Sequence, residues 1–232
     1  MAIHPRRTVI GLLALFFFLP VGFSRAAQEI SGKIAIEPPY PEAKMIKVRK
    51  KTQDSCAEEQ ISKALLVSPE GGVANAVVWL EGEFPAPAGE PQTVTLDQLR
   101  CNFEPHVVLV PPGGRLRVLN SDPLAHDVRA FEQTKMLFRL DMDTKSKPEE
   151  RTFAKPGIHT IRCGLHPWMH AFAVQAAHPF YAVTDAQGRF QLRNVPEGRH
   201  TLHIWHETLG EITLPVEVAG PVTDFSYTFK KA

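Results

Sequence analysis

A thiolate, an imidazole and a thioether fall within seven residues of this chain, in Cys163-Gly-Leu-His166-Pro-Trp-Met169. A soft thiolate joined by imidazoles and a weak axial thioether is the ligand set of a mononuclear electron-transfer copper site. Such a set needs a second imidazole, and Asn120-Ser-Asp-Pro-Leu-Ala-His126 offers one upstream. The expected centre is therefore one type 1 copper ion held by His126, Cys163, His166 and Met169. Pro167 fixes a φ angle between two of these ligands, which stiffens the loop while the metal changes charge.

Those ligands need strands to hold them. Gly157 to Arg162 reads as a strand running into Cys163, and Ala171 to Gln175 as the strand that leaves the loop. Thr93–Leu96, Val107–Val110, Arg115–Leu119 and His126–Phe131 are further strands, separated by turn signals such as Pro111-Pro-Gly-Gly114. Met136, Phe138, Leu140 and Met142 alternate along one face, the period of a half-buried strand, and are assigned to the core. Seven or eight short strands over 93–176 predict a Greek-key β-sandwich. Upstream, Ile30–Ile36 and Val73–Leu80 read as strands. Residues 40–63 read as a connection, and Cys56 to Leu66 is the one stretch whose spacing allows a helix. Tyr181–Gly188 turns into Arg189–Leu192 and Asn194–Gly198 into His200–Trp205, and the chain ends on Phe225–Phe229; these read as hairpins with Gly at the turns. That last unit has about half of the ~100 residues an independent sandwich needs, so it is expected to pack on another part of the chain.

Composition limits the partners. Residues 1–26 read as a signal peptide, with Arg6 and Arg7 before an apolar stretch that Pro20 interrupts and a Ser24-Arg25-Ala26 cleavage site. That stretch is shorter than the ~20 apolar residues a membrane span requires, so the alternative of an uncleaved anchor is disfavoured and no span is expected after cleavage. Removal of Arg6, Arg7 and Arg25 leaves 23 basic and 25 acidic residues, a formal charge of −2. Such a balance provides no footprint for nucleic acid or an anionic membrane surface. Three cysteines in an exported chain suggest one pair and one remainder. With Cys163 in the ligand cluster, Cys56 and Cys101 are the expected disulfide; the alternative is another pairing with Cys163 structural. Closing that loop would contribute roughly 4 kcal/mol by the chain-entropy argument, less any strain.

Cys-x-x-His-Pro-aromatic-Met resembles the short ligand loop of the amicyanin/plastocyanin-like cupredoxins, and Asn120-x5-His126 resembles the segment that supplies their first histidine. The resemblance covers about residues 93–176. It implies His126, Cys163, His166 and Met169 as copper ligands, with Asn120 and Asp127 behind them. Cupredoxins often carry Asn after the first histidine; Asp127 stands here, and its carboxylate is expected to hold a backbone N–H across the two loops and to alter the potential. The flanks, in Val73–Leu80, Thr184-Asp-Ala-Gln-Gly-Arg-Phe190 and Val195-Pro-Glu-Gly198, resemble a carboxypeptidase-regulatory-like, transthyretin-like β-sandwich. The expected organisation is a signal peptide (1–26), a first flanking part (27–92), a cupredoxin domain (93–176) and a second flanking part (177–232). Chains combining both parts look like those labelled methylamine-utilisation-like.

The implied function is single-electron transfer in the periplasm, with a c-type cytochrome or a periplasmic oxidoreductase as partner. Pro167 and Trp168 are expected at the docking patch, with Trp168 read equally as core, because electrons leave through the imidazole edge and weak redox encounters use small interfaces. With no paired acid and base in view, an enzyme is not expected. Two other readings stay open: a copper-delivery protein that does not cycle, and a glycan-contacting or adhesion module on a metal-free scaffold. His106, His159, His170, His178, His200, His203 and His206 are read as surface or hydrogen-bonded imidazoles, not ligands.

Overall fold

The computed structural model describes residues 28–48, 56–85 and 89–230, and within them the chain is all-β, with no helix. The expected signal peptide lies outside the described residues. The strands are β1 (Glu29–Ile36), β2 (Met45–Lys47), β3 (Glu59–Ile61) and β4 (Val77–Leu80). There follow β5 (Thr93–Leu99), β6 (Asn102–Glu104), β7 (Val107–Val110), β8 (Arg115–Asn120), β9 (His126–Glu132) and β10 (Lys135–Met142). The chain continues through β11 (Glu149–Arg151), β12 (Gly157–Cys163), β13 (His170–Gln175), β14 (Tyr181–Val183) and β15 (Arg189–Arg193). It ends with β16 (Gly198–His206), β17 (Gly210–Val218), β18 (Val222–Asp224) and β19 (Tyr227–Phe229).

The middle of the chain builds two facing sheets, ordered β10-β9-β12-β13-β7 and β11-β8-β5-β6. Alternation along each strand explains the layering. In β8, Leu116 and Val118 point inward while Arg115 and Arg117 stay in water. The core between the sheets gathers Leu96, Phe103, Val110, Leu116, Val118, Val128, Ala130 and Ile161, and it takes in Cys163 and Met169 at one end.

The flanks build two more four-stranded sheets, each drawing on both ends of the chain, and the small β2-β3 sheet. β1 pairs antiparallel with β15 and parallel with β18 and β19, and β4 lies between β14 and β16 with β17 outside. Their own core contains Ile30, Ile34, Val78, Leu80, Phe190, Leu192, Leu202 and Ile204. A third cluster joins the two units, with Val77, Val107 and Val174 at its centre and Trp79, Phe172, Tyr181 and Trp205 around them.

Two expectations need correction. Cys56 to Leu66 forms no helix; Glu59–Ile61 pairs with Met45–Lys47, and Cys56 is tied by a disulfide to Cys101 with the Cα atoms 5.7 Å apart. That tether puts Val48 and Cys56 into the core of the 93–176 unit. Met136 is not core but 51% exposed, whereas Leu140 and Met142 are buried. A register shift between Met136 and Phe138 breaks the alternation near the hairpin tip, so the inward face begins only after it.

Candidate metal centre

The antiparallel pairing of β9 with β12 places Cys163 opposite Val128, two residues along from His126. The loop between β12 and β13 then folds back on itself: the Met169 N–H donates to the His166 carbonyl (2.9 Å) and the Cys163 N–H to the Met169 carbonyl (3.1 Å). As a result three donor atoms meet. His126 Nδ1 and His166 Nδ1 are 3.0 Å apart, and the Cys163 sulfur lies 3.7 Å from the first and 3.4 Å from the second. Ligand bonds of about 2.0–2.3 Å, usual for imidazole and thiolate on a first-row metal, place donor atoms roughly 3–4 Å apart, so this set fits one ion. All three residues are buried, and so is Met169 beside them.

The electrostatics favour the thiolate. Burial alone raises the Cys163 pKa, but hydrogen bonds from the His126 and His166 rings and from the Asp127 and Leu165 backbone outweigh it and bring the thiol down to about 5. A deprotonated sulfur is the form that binds metal.

Behind the donors stands a residue that sequence reasoning passed over. Asp122 is buried and holds His126 Nε2 at 2.9 Å, while the same oxygen accepts the Cys101 N–H at 2.9 Å. A carboxylate on the outer nitrogen fixes the ring's tautomer and orientation, leaving Nδ1 for the centre. Burial lowers the His126 pKa, yet Asp122 and Cys163 together turn the net shift upward. The only signal in the sequence is an acid four residues before the histidine, in a segment that Pro123 makes look like an ordinary turn.

The remaining predicted residues fall as follows. Asn120 ends β8, and its amide donates to the carbonyls of Leu124 (2.9 Å), Asp143 (3.1 Å) and Met142 (3.2 Å), bracing the segment that carries His126. The Asp127 carboxylate does not bridge the loops as expected: it pairs with Arg129 and with Arg139, whose Nε lies 3.1 Å away. Hydrogen bonding from Arg129 leads the lowering of its pKa. The bridge is made instead by the Asp127 backbone carbonyl, which accepts the Gly164 N–H at 2.8 Å. A side chain at Gly164 would meet Arg129 Nη2 and Asp127 Oδ2 at 2.5 Å, so anything larger than glycine must push that pair of side chains aside. Pro167 is exposed with its neighbour Leu165. Trp168 is half-buried against the core, and its indole N–H donates to the Cys101 carbonyl at 3.0 Å, tying the ligand loop to the disulfide.

No protein-family profile matches the chain, and no curated protein matches it either. Among solved structures, a purple cupredoxin from Nitrosopumilus maritimus aligns at 18% identity over 35% of this chain and 98% of its own, with a TM-score of 0.32. A Cu(I) mutant of amicyanin aligns at 19% identity over 43% of this chain and 98% of its own, TM-score 0.32. A copper-containing nitrite reductase from Thermus scotoductus aligns at 23% identity over 41% of this chain, TM-score 0.32, and the match spans only 25% of the reductase. At that likeness, only the donor set itself speaks to function.

Proposed function

We propose that this chain is an exported type 1 copper protein that carries single electrons. The observation that carries the reading is the convergence of His126 Nδ1, His166 Nδ1 and the Cys163 sulfur in a buried pocket that favours the thiolate. Copper bound there would supply a one-electron couple in a geometry that both oxidation states accept.

The chain's own residues do the rest. Asp122 orients His126, Asn120 braces the segment in front of it, and the hydrogen bonds within residues 163–169 fix Cys163, His166 and Met169 relative to one another. Burial excludes water, so little solvent must reorganise when an electron moves. Met169, buried beside these donors, would add a weak thioether to the set that holds the copper. Leu165 and Pro167 are exposed on the same loop and form the proposed docking surface for a c-type cytochrome or a periplasmic oxidoreductase, with Trp168 supporting the loop from beneath. Residues 93–176 are proposed as the electron-carrying domain inserted between the halves of a transthyretin-like flanking domain; the pairing of β1 and β4 with strands from 177–232 supports this.

Adding Cu(II) to the purified protein tests the reading. An intense visible thiolate-to-copper band at one equivalent, absent in Cys163→Ala, is expected. A colourless product with no bound copper would refute it.

A further inference from the structure

A second set of three donors converges where the two units meet. His106 lies between β6 and β7, His170 opens β13, and Glu207 sits in the turn between β16 and β17. His170 Nε2 is 2.9 Å from Glu207 Oε2, and His106 Nε2 contacts the other carboxylate oxygen. One donor atom from each lies within 4.8 Å of the other two. The rings meet edge to face at 82°, with centroids 5.0 Å apart.

Three further observations point to a ligand. His170 Nδ1 faces the Trp168 carbonyl at 3.4 Å, and an outer nitrogen held on a backbone carbonyl is the usual arrangement behind a metal-bound imidazole. Glu207 and His170 line a cleft of about 410 Å³ with Thr160, Arg162, Pro167 and Phe172, which gives an ion a way in. The side chains of His106, Glu207 and His170 are 3%, 14% and 28% exposed, so the set runs from an enclosed end to an open one.

We propose that His106, His170 and Glu207 form a second metal site, which takes a borderline divalent cation of the Zn(II) class and links the two units. Two imidazoles and one carboxylate suit Zn(II), and the cleft beside His170 and Glu207 leaves room for a further ligand. No thiolate is present, so the site has nothing to select Cu(I). An ion that binds only the folded chain stabilises it by mass action, and here two of its ligands come from the 93–176 unit and one from the flank. The proposal is independent of the copper reading.

Zinc(II) binding to the metal-free full chain tests it, with bound metal counted after equilibrium dialysis. Cys163→Ala, which disables the first centre, is expected to keep one zinc per chain and to melt at a higher temperature when zinc is added. Adding Glu207→Gln to that variant is expected to weaken zinc binding at least about tenfold. The amide keeps the carboxylate's shape; should this double variant fail to fold, cobalt(II) bound to folded Cys163→Ala must show ligand-field bands that are lost when equimolar zinc is added. No zinc in Cys163→Ala, zinc binding indifferent to Glu207→Gln, or no cobalt ligand-field spectrum would overturn the proposal and leave the cluster as an ion-paired clamp.

Discussion

The two donor clusters differ in what brings their members together. His126, Cys163 and His166 come from neighbouring strands of one sheet and the loop that follows, they are buried throughout, and they include a sulfur. His106, His170 and Glu207 come from three separate elements in two units, contain no sulfur and open onto a cleft. An enclosed set with a polarisable thiolate suits a metal that stays and changes charge. An open set of imidazoles and a carboxylate suits an ion that enters, leaves or only fastens. His170 directly follows Met169, so the two clusters share a strand end while differing in chemistry.

The largest expected effect separates them cleanly. Cys163→Ala should abolish the visible band and most copper affinity, and should leave intact the ion pair between His170 and Glu207. Copper titration followed by optical absorption, with a thermal melt of the same samples, checks both halves.

Asp122→Ala should come next. It removes the partner of His126 Nε2 and an acceptor of the Cys101 N–H, so stability should fall by about 1–3 kcal/mol and copper affinity by about 10–100-fold. Asp122→Asn, which can still accept the N–H, should recover much of the stability. Denaturant melts and competition with a copper chelator measure the two effects, and wild-type stability and copper affinity in Asp122→Ala would remove Asp122 from this role.

Gly164→Ala should cost less, about 1 kcal/mol of overpacking, because the atoms it meets belong to the movable Arg129–Asp127 pair. The copper band should shift as the ligand loop moves. An unchanged melt and spectrum would show that the loop has slack the structure does not suggest.

The smallest effect is a pH window at the second cluster, read in metal-free protein. Burial raises the Glu207 pKa, but donation from His106 and His170 outweighs it and holds the carboxyl well below its usual range. Its stabilising contribution is thus present above its ordinary pKa of about 4.3 and lost as pH falls further. The hydrogen bond to Glu207 leads the raised pKa of His170, whose contribution is complete below about 6.5 and lost as pH climbs through the higher folded value. The melting-temperature gap between the wild-type chain and Glu207→Gln should therefore peak between about pH 4.3 and 6.5. A gap that grows steadily above pH 8 would contradict this pairing.

The same contrast explains what the sequence could reveal. Cys163, His166 and Met169 lie three residues apart on one loop, so local spacing exposes them, and the strands around them alternate visibly. Asp122 was hidden because an acid before proline reads as turn chemistry. His106, His170 and Glu207 lie on separate elements; only the parallel pairing of β7 with β13 and the docking of the β16–β17 turn unite them. Met136 was misplaced for a related reason, since a bulge leaves no mark in an alternating pattern.

A redox titration of the copper-loaded chain tests the central claim most directly. The visible band should bleach and return through one reversible electron per chain, with copper retained throughout. Release of the metal on reduction, or a band that no reductant bleaches, would contradict an electron carrier.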